Sequence, residues 1–179
     1  SKGFSMANSS LIDVQYEHVG AIEWDADSCA TYAANFNGPV IQEDIRKLPN
    51  ALKASTAVDL IIGGPPCQGF SGANTVSRGP TNPLSEMWYW FAQYVENLAP
   101  KMFIIENVPE FLSSDNFTDM VEYFASPCLS HYSLNTFILS ASDYGVPSIR
   151  KRSFVIGSTG LQVISPKPSH GTHGRQVRS

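Results

Sequence analysis

The apolar run over residues 58–62, broken only by Asp59, stops at Gly63-Gly64-Pro65-Pro66-Cys67-Gln68-Gly69-Phe70-Ser71. The run reads as a buried strand, and the two prolines dictate its end. Each proline fixes φ and lacks a backbone N–H, so neither can extend a strand ladder. The two glycines before them permit close backbone approach. A turn restricted in this way holds the Cys67 thiol at the C-terminal end of a strand, which is the edge where open α/β sheets place their ligands. A rigid turn with an incidental buried cysteine is the plainer alternative. The local context favours a nucleophile.

Strand and helix patterns alternate around this turn. Strands are predicted over 19–22, 39–41, 58–62, 102–105, 134–139 and 153–156, the last two as an antiparallel pair at a sheet edge. Helices are predicted over 26–36, with Asp25 as its cap, and over 85–97 and 118–125. The helix carrying Trp88, Trp90, Phe91 and Tyr94 reads as a packed helix rather than a cofactor box. Alternation of this kind predicts a mostly parallel sheet covered by helices. A Gly/Ser/Asn loop over 69–82 and a Pro/Gly-containing stretch after residue 164 separate or follow these elements. A catalytic domain over 1–164 with a linker or tail over 165–179 is the corresponding division.

The 179 residues, 42% hydrophobic and 16% charged, are enough for a domain with a full core. No run has the length of a membrane span, and no signal peptide opens the sequence. Cys29, Cys67 and Cys128 are odd in number and lack a CxxC spacing, which fits a reducing, intracellular compartment better than a disulfide framework or zinc knuckle. The formal net charge of −4 argues against a chain that coats nucleic acid by itself. Six of the twelve Lys and Arg residues nevertheless fall in the last thirty positions: Arg150, Lys151, Arg152, Lys167, Arg175 and Arg178. Either a nucleic-acid face or a solvated tail accounts for them.

Glu23, Cys67 and Glu106 each follow a predicted strand, and in a doubly wound sheet such ends share one edge. An acidic residue at one such end commonly takes ribose hydroxyls, and Trp24 beside Glu23 can stack on an adenine ring. Cys67 with Glu106 reads as a nucleophile and a proton donor. A thiolate adds to an electron-poor ring carbon, and a carboxylic acid protonates a ring nitrogen to make that carbon more electrophilic.

Pro65-Pro66-Cys67-Gln68, Glu106-Asn107-Val108 and Arg150-Lys151-Arg152, with Asp143-Tyr144-Gly145-Val146-Pro147 leading into the last, together resemble the cytosine-C5 DNA methyltransferases over roughly residues 3–170. The resemblance implies a Rossmann-like, S-adenosylmethionine-dependent methyltransferase sheet with helices on both faces, incomplete at both ends. It implies double-stranded DNA as substrate, with the target cytosine flipped into a pocket. Cys67 would attack C6, Glu106 would hold and protonate N3, Arg152 would bind the cytosine carbonyl oxygen, and Arg150 would support the site or a phosphate. Pro66, Gln68, Ser71, Asn107 and Val108 would lie on the substrate side. For the cofactor, Glu23 would take the ribose, Trp24 the adenine face, and Asp44 with Ile45 the adenine amino end. Pro65 and Leu84 would line the methionine end, and Phe4 would belong to the remnant of the family's first cofactor loop. S-adenosylhomocysteine would be the product.

The family's first strand, most of its Phe-x-Gly-x-Gly-Gly loop and its target-recognition region have no counterpart in these residues. Three readings stay open: part of a longer chain, a subunit of a split enzyme whose partner supplies recognition, or a truncated inactive relative. A tRNA cytosine methyltransferase and a non-catalytic binding subunit are the functional rivals. A thiol-protease or redox role fails for want of a partnering motif around His18, His131, His170 or His173. The expected location is wherever DNA is held: cytoplasm and nucleoid in a bacterium, nucleus in a eukaryote.

Overall fold

The computed structural model describes residues 2–11, 13, 15–47, 57–66 and 87–170. They fall into two compact units, Ser1–Lys53 and Ala54–Ser179.

In the first unit a short helix α1 (Lys2–Ala7) precedes strand β1 (Ala21–Glu23), helix α2 (Ala26–Asn35) and strand β2 (Val40–Gln42). β1 and β2 pair in parallel, Ala21 opposite Val40 and Glu23 opposite Gln42, with α2 as the crossover that parallel pairing demands. Asp25 caps α2 as its sequence position predicts: its carboxylate accepts from the Ser28 N–H at 2.8 Å, and that bond holds the carboxyl below its usual range. The strand predicted over 19–22 is shifted, so Glu23 is the last residue of β1 rather than the first beyond it. His18 fastens the loop before β1 to α2. Its Nδ1 meets the Asn37 carbonyl and its Nε2 meets the Tyr32 hydroxyl at 2.8 Å. A carbonyl can only accept, so Nδ1 carries the proton and Nε2 accepts from Tyr32.

The second unit contains β3 (Leu60–Gly63), α3 (Met87–Leu98), β4 (Met102–Asn107), α4 (Asp115–Phe124), β5 (Ser133–Ser140) and β6 (Lys151–Ser158). The sheet order is β3-β4-β6-β5. β3 and β4 are parallel, whereas β6 runs antiparallel to both β4 and β5. This sheet is therefore mixed rather than mostly parallel. The link from β5 to β6 is a 3-10 turn (Ala141–Tyr144) and a short loop, with no crossover helix, so the chain must return antiparallel. The antiparallel pair predicted at the edge is present, with β5 as the edge strand on that side and β6 inside the sheet.

Both described helices of this unit pack on one sheet face. Phe103 and Ile105 point into a cluster with Trp88, Phe91 and Val95 of α3 and Met120 and Phe124 of α4. The Phe103 ring stacks on Phe124 at 4.8 Å and meets Tyr132 edge-on at 5.4 Å. The aromatic helix is thus a packed helix, as its pattern predicts. α4 begins three residues earlier than predicted because Ser114 caps it, accepting from the Phe117 N–H at 3.3 Å. Residues 166–170 lie against the turn after β5. The Tyr144 hydroxyl donates to the Pro166 carbonyl at 3.0 Å, and the Ser169 and His170 N–H groups both donate to the Asp143 carbonyl.

β4 extends two residues past its predicted end, and β6 begins two residues before its predicted start. β6 pairs on both sides, setting Glu106 opposite Phe154, Asn107 opposite Ser153, and Lys151 opposite Ser140. Ladder pairing with β6 holds Glu106 and Asn107, and pairing with β5 holds Lys151 and Arg152, in an extended conformation that their side chains alone would not favour. As a result Glu106 and Arg152 are strand residues.

Candidate active site

Strand alternation sorts the side chains of β4. Phe103, Ile105 and Asn107 are buried beneath the helices, and Glu106 points to the other face with Met102 and Ile104. Glu106 stands directly opposite Phe154, and Arg152, two residues along β6, shares that face. The diagonal spacing brings the charges together: Arg152 Nε lies 3.0 Å from Glu106 Oε1. Their side chains keep 23% and 39% of their exposure, so the pair is within reach of a ligand. Arg152 Nη1 also donates to the Lys151 carbonyl at 2.7 Å. Two guanidinium nitrogens are thereby placed, and Nη2 makes no hydrogen bond among the described residues.

The glycine-proline turn passes the same carboxylate. A Cβ placed on Gly64 would stand 3.3 Å from Glu106 Oε2, so the absent side chain is what lets the turn run so close. Asn107, buried at the end of β4, donates from Nδ2 to the Pro65 carbonyl at 3.2 Å, and its Oδ1 accepts from the Val108 N–H at 2.8 Å. Ser153, fully buried on β6, donates from Oγ to the Val108 carbonyl at 2.7 Å. The turn, the end of β4 and the start of β6 are thus joined by side-chain bonds.

Of the residues singled out in the sequence, Pro65, Pro66, Glu106, Asn107, Val108 and Arg152 come together here. Cys67, Gln68, Ser71 and Leu84 lie outside the described residues; Pro66, the last described residue of the turn, immediately precedes Cys67. Arg150 is exposed, with its backbone N–H bonded to Ser148 Oγ and its carbonyl to the Ala141 N–H, and it makes no ion pair among the described residues. Ser153 was not singled out, because a serine within a strand pattern carries no signal of its own.

In the first unit, Glu23 Oε1 accepts from the N–H groups of Trp24 and Asp25 at 2.9 and 3.1 Å, which fixes the carboxylate at the end of β1. Trp24 beside it is 74% exposed, an unusual state for a side chain of that size. Phe4 packs edge-on against Tyr16 at 4.6 Å. Asp44 is engaged by Arg46: Nε lies 2.9 Å from both carboxylate oxygens, and Nη2 lies 2.5 Å from Oδ2. The Arg46 side-chain bond, then its backbone N–H, pulls the Asp44 carboxyl down to about 2. Ile45 opens the 3-10 turn Ile45–Lys47 that places Arg46. Arg46 was missed in the sequence, although the acid-x-base spacing of Asp44-Ile45-Arg46 could have revealed it.

Among the described residues no group of His, Cys, Asp and Glu could hold a metal ion, and no helix is long and apolar enough to cross a membrane.

The geometry agrees with comparisons to known proteins. The type II methyltransferase M.DdeI of Desulfomicrobium norvegicum is 40% identical over 167 residues, covering 88% of this chain and 37% of that protein. The type II methyltransferase M.AquIA of Picosynechococcus sp. is 32% identical over 175 residues, covering 88% of this chain and 70% of that protein. The crystal structure of an E. coli prophage protein described as a putative DNA modification methyltransferase superposes with a TM-score of 0.67 at 29% identity, covering 88% of this chain and 43% of that one. The chain therefore spans less than half the length of the first and third of these relatives. The family model for C-5 cytosine-specific DNA methylases matches residues 2–174, nearly the whole chain. By that match the chain belongs to the C-5 cytosine-specific DNA methylase family.

Proposed function

We propose that this chain carries the catalytic region of a DNA (cytosine-5-)-methyltransferase, acting on a cytosine flipped out of double-stranded DNA. The observation that carries the reading is the Arg152–Glu106 pair beside the Pro65-Pro66 turn. A carboxyl group and a guanidinium, half-exposed and 3.0 Å apart, match the adjacent ring nitrogen and carbonyl oxygen of cytosine. Glu106 addresses N3 and Arg152 addresses O2.

The steps balance as follows. The Cys67 thiolate forms a bond to C6 while Glu106 gives its proton to N3, and the displaced electron pair makes C5 nucleophilic. S-adenosylmethionine, when bound, would supply an electrophilic methyl group to C5, its S–CH3 bond breaking to leave S-adenosylhomocysteine. A base then removes the C5 proton, the Cys67–C6 bond breaks to release the thiolate, and the N3 proton returns to Glu106. Arg152 stabilises charge on O2 throughout.

The first unit fits the nucleoside end of that cofactor. Glu23 offers a carboxylate already anchored by two backbone donors, and Trp24 offers an exposed indole face. Asp44 and Ile45 would meet the adenine edge, Asp44 sharing its oxygens with Arg46. Phe4 would adjoin the cofactor, and Pro65 and Leu84 its methionine end. Residues 1–164 constitute the catalytic region in this reading. Base readout needs side chains delivered to a groove, and we assign it to the additional length of the relatives, whether on a longer form of this chain or on a partner chain. Such an enzyme works where DNA is held.

The test is covalent capture. The complete protein, incubated with S-adenosylmethionine and duplex DNA containing 5-fluorocytosine, is expected to form an adduct, because fluorine blocks loss of the C5 proton. Cys67→Ser abolishes it. An adduct that persists undiminished in that variant, or one formed only with tRNA, overturns the reading.

A further inference from the structure

We infer that Ser153 is a positioning residue, whose hydroxyl sets where the Pro65-Pro66 turn stands relative to Glu106 and Arg152. The inference rests on the function proposed above and adds to it a residue outside the three sequence motifs. Ser153 is fully buried on β6, between Asn107 of β4 and Ile138 of β5, at a strand position where valine or isoleucine is the commoner choice. A buried hydroxyl persists in such a place when it is bonded, and its Oγ donates to the Val108 carbonyl at 2.7 Å. Val108 follows directly from the end of β4, outside the ladder, and its carbonyl is shared between the Phe111 N–H, at 3.1 Å in the following 3-10 turn, and the Ser153 hydroxyl, which alone links it to β6.

The bonds form a short chain. Ser153 holds the Val108 carbonyl, the Val108 N–H donates to Asn107 Oδ1 at 2.8 Å, and Asn107 Nδ2 donates to the Pro65 carbonyl at 3.2 Å. Asn107 and Ser153 are also direct partners across the antiparallel pair. Orienting the Asn107 amide by its Oδ1 leaves Nδ2 aimed at the carbonyl of Pro65, the first of two prolines whose fixed φ restricts the turn. The neighbouring residue on β6 is Arg152. One hydroxyl thus ties the strand bearing the arginine to the strand bearing the glutamate and, through Asn107, to the turn bearing the thiol. Reaction rate depends steeply on such placement.

The test uses the complete protein and the 5-fluorocytosine capture reaction. Ser153→Ala is expected to slow single-turnover adduct formation by about tenfold, with KM for DNA and for S-adenosylmethionine changed by less than about twofold. Backbone hydrogen exchange over residues 60–66 is expected to quicken by about tenfold while that of α4 is unchanged. Restoring a hydroxyl with Ser153→Thr, or a weaker donor with Ser153→Cys, is expected to bring the rate back to within about threefold. Unchanged exchange over 60–66, faster exchange with an unchanged rate, equal loosening of α4, or rescue by neither variant each overturns the inference. If the unsubstituted protein forms no adduct, the functional reading falls instead, and the exchange measurement still decides whether Ser153 sets the turn.

Discussion

Arg152 Nε and Glu106 Oε1 stand 3.0 Å apart across the antiparallel seam of β4 and β6. The contact is a consequence of register. Glu106 faces Phe154, and a side-chain period of two puts Arg152 on the same face one diagonal step away. A one-residue slip of β6 would send Arg152 to the helix-covered face, so the sheet pairing and the site are a single specification. A half-exposed pair of this kind contributes only about 0–1 kcal/mol to stability. Its value lies in holding two groups in one geometry.

Glu106→Gln and Arg152→Ala should therefore leave the melting temperature almost unchanged and lower the single-turnover methylation rate by about 10²–10⁴-fold each. Under the proposed function the two residues act on one ring, so the double variant should lose much less than the product of the single losses. Pre-steady-state kinetics on the four proteins of the cycle measures this. Losses that multiply would mean the residues act independently.

The two glycines before Pro65 should respond differently to the same added methyl group. A Cβ on Gly63 would fall 2.6 Å from the Phe91 ring, in the core, where overpacking costs about 1–3 kcal/mol. A Cβ on Gly64 would fall 3.3 Å from Glu106 Oε2, at the site. Gly63→Ala should lower the denaturation midpoint, and Gly64→Ala should retain it while slowing adduct formation. Denaturant melts beside capture kinetics distinguish them, and a Gly64→Ala protein with wild-type kinetics would contradict the proximity argument.

Tyr132 offers a stability test remote from the site. Its hydroxyl donates to the carbonyl of fully buried Pro100 at 2.5 Å, just before β4. Tyr132→Phe strands that acceptor and should cost about 1–3 kcal/mol. Burial also raises the phenol above its ordinary value of 10.0. The native state thus favours the neutral phenol, and the stability Tyr132 contributes is complete below pH 10 and declines as pH rises beyond it. Urea melts at several alkaline pH values should show this decline, and Tyr132→Phe should lack it.

The apolar runs made the strands around residues 58–62 and 102–105 legible, and the prolines after β3 marked its end to within one residue. The last two residues of β4 and the first two of β6 were not, since Glu106, Asn107, Lys151 and Arg152 are extended by pairing between segments distant in sequence. The antiparallel pairing of β5 with β6 was legible, but nothing in residues 134–156 states that β6 will also pair with β4 and make the sheet mixed. Glu106 and Arg152 were each identifiable through the family's motifs, but that they touch is a property of register. Ser153 and Arg46 escaped because one is an ordinary strand serine by pattern and the other an ordinary surface arginine. Their partners, the Val108 carbonyl and the Asp44 carboxylate, are what distinguish them.

Asp44 gives the clearest pH signature. Its carboxyl is pulled from 3.8 to about 2, chiefly by the Arg46 side-chain bond and next by the Arg46 backbone N–H. A folded-state value below the unfolded one means that the stability the pair contributes is present in full above about pH 4. That stability is lost as pH falls through about 2, where the native carboxylate finally takes its proton. Arg46→Ala removes the larger cause and leaves the backbone donor, so the Asp44 midpoint should rise most of the way back toward 3.8. Carboxyl-carbon NMR titration of the two proteins reads this directly. A midpoint near 3.8 in the unsubstituted protein, or no change on substitution, would show that Arg46 does not hold Asp44 in solution.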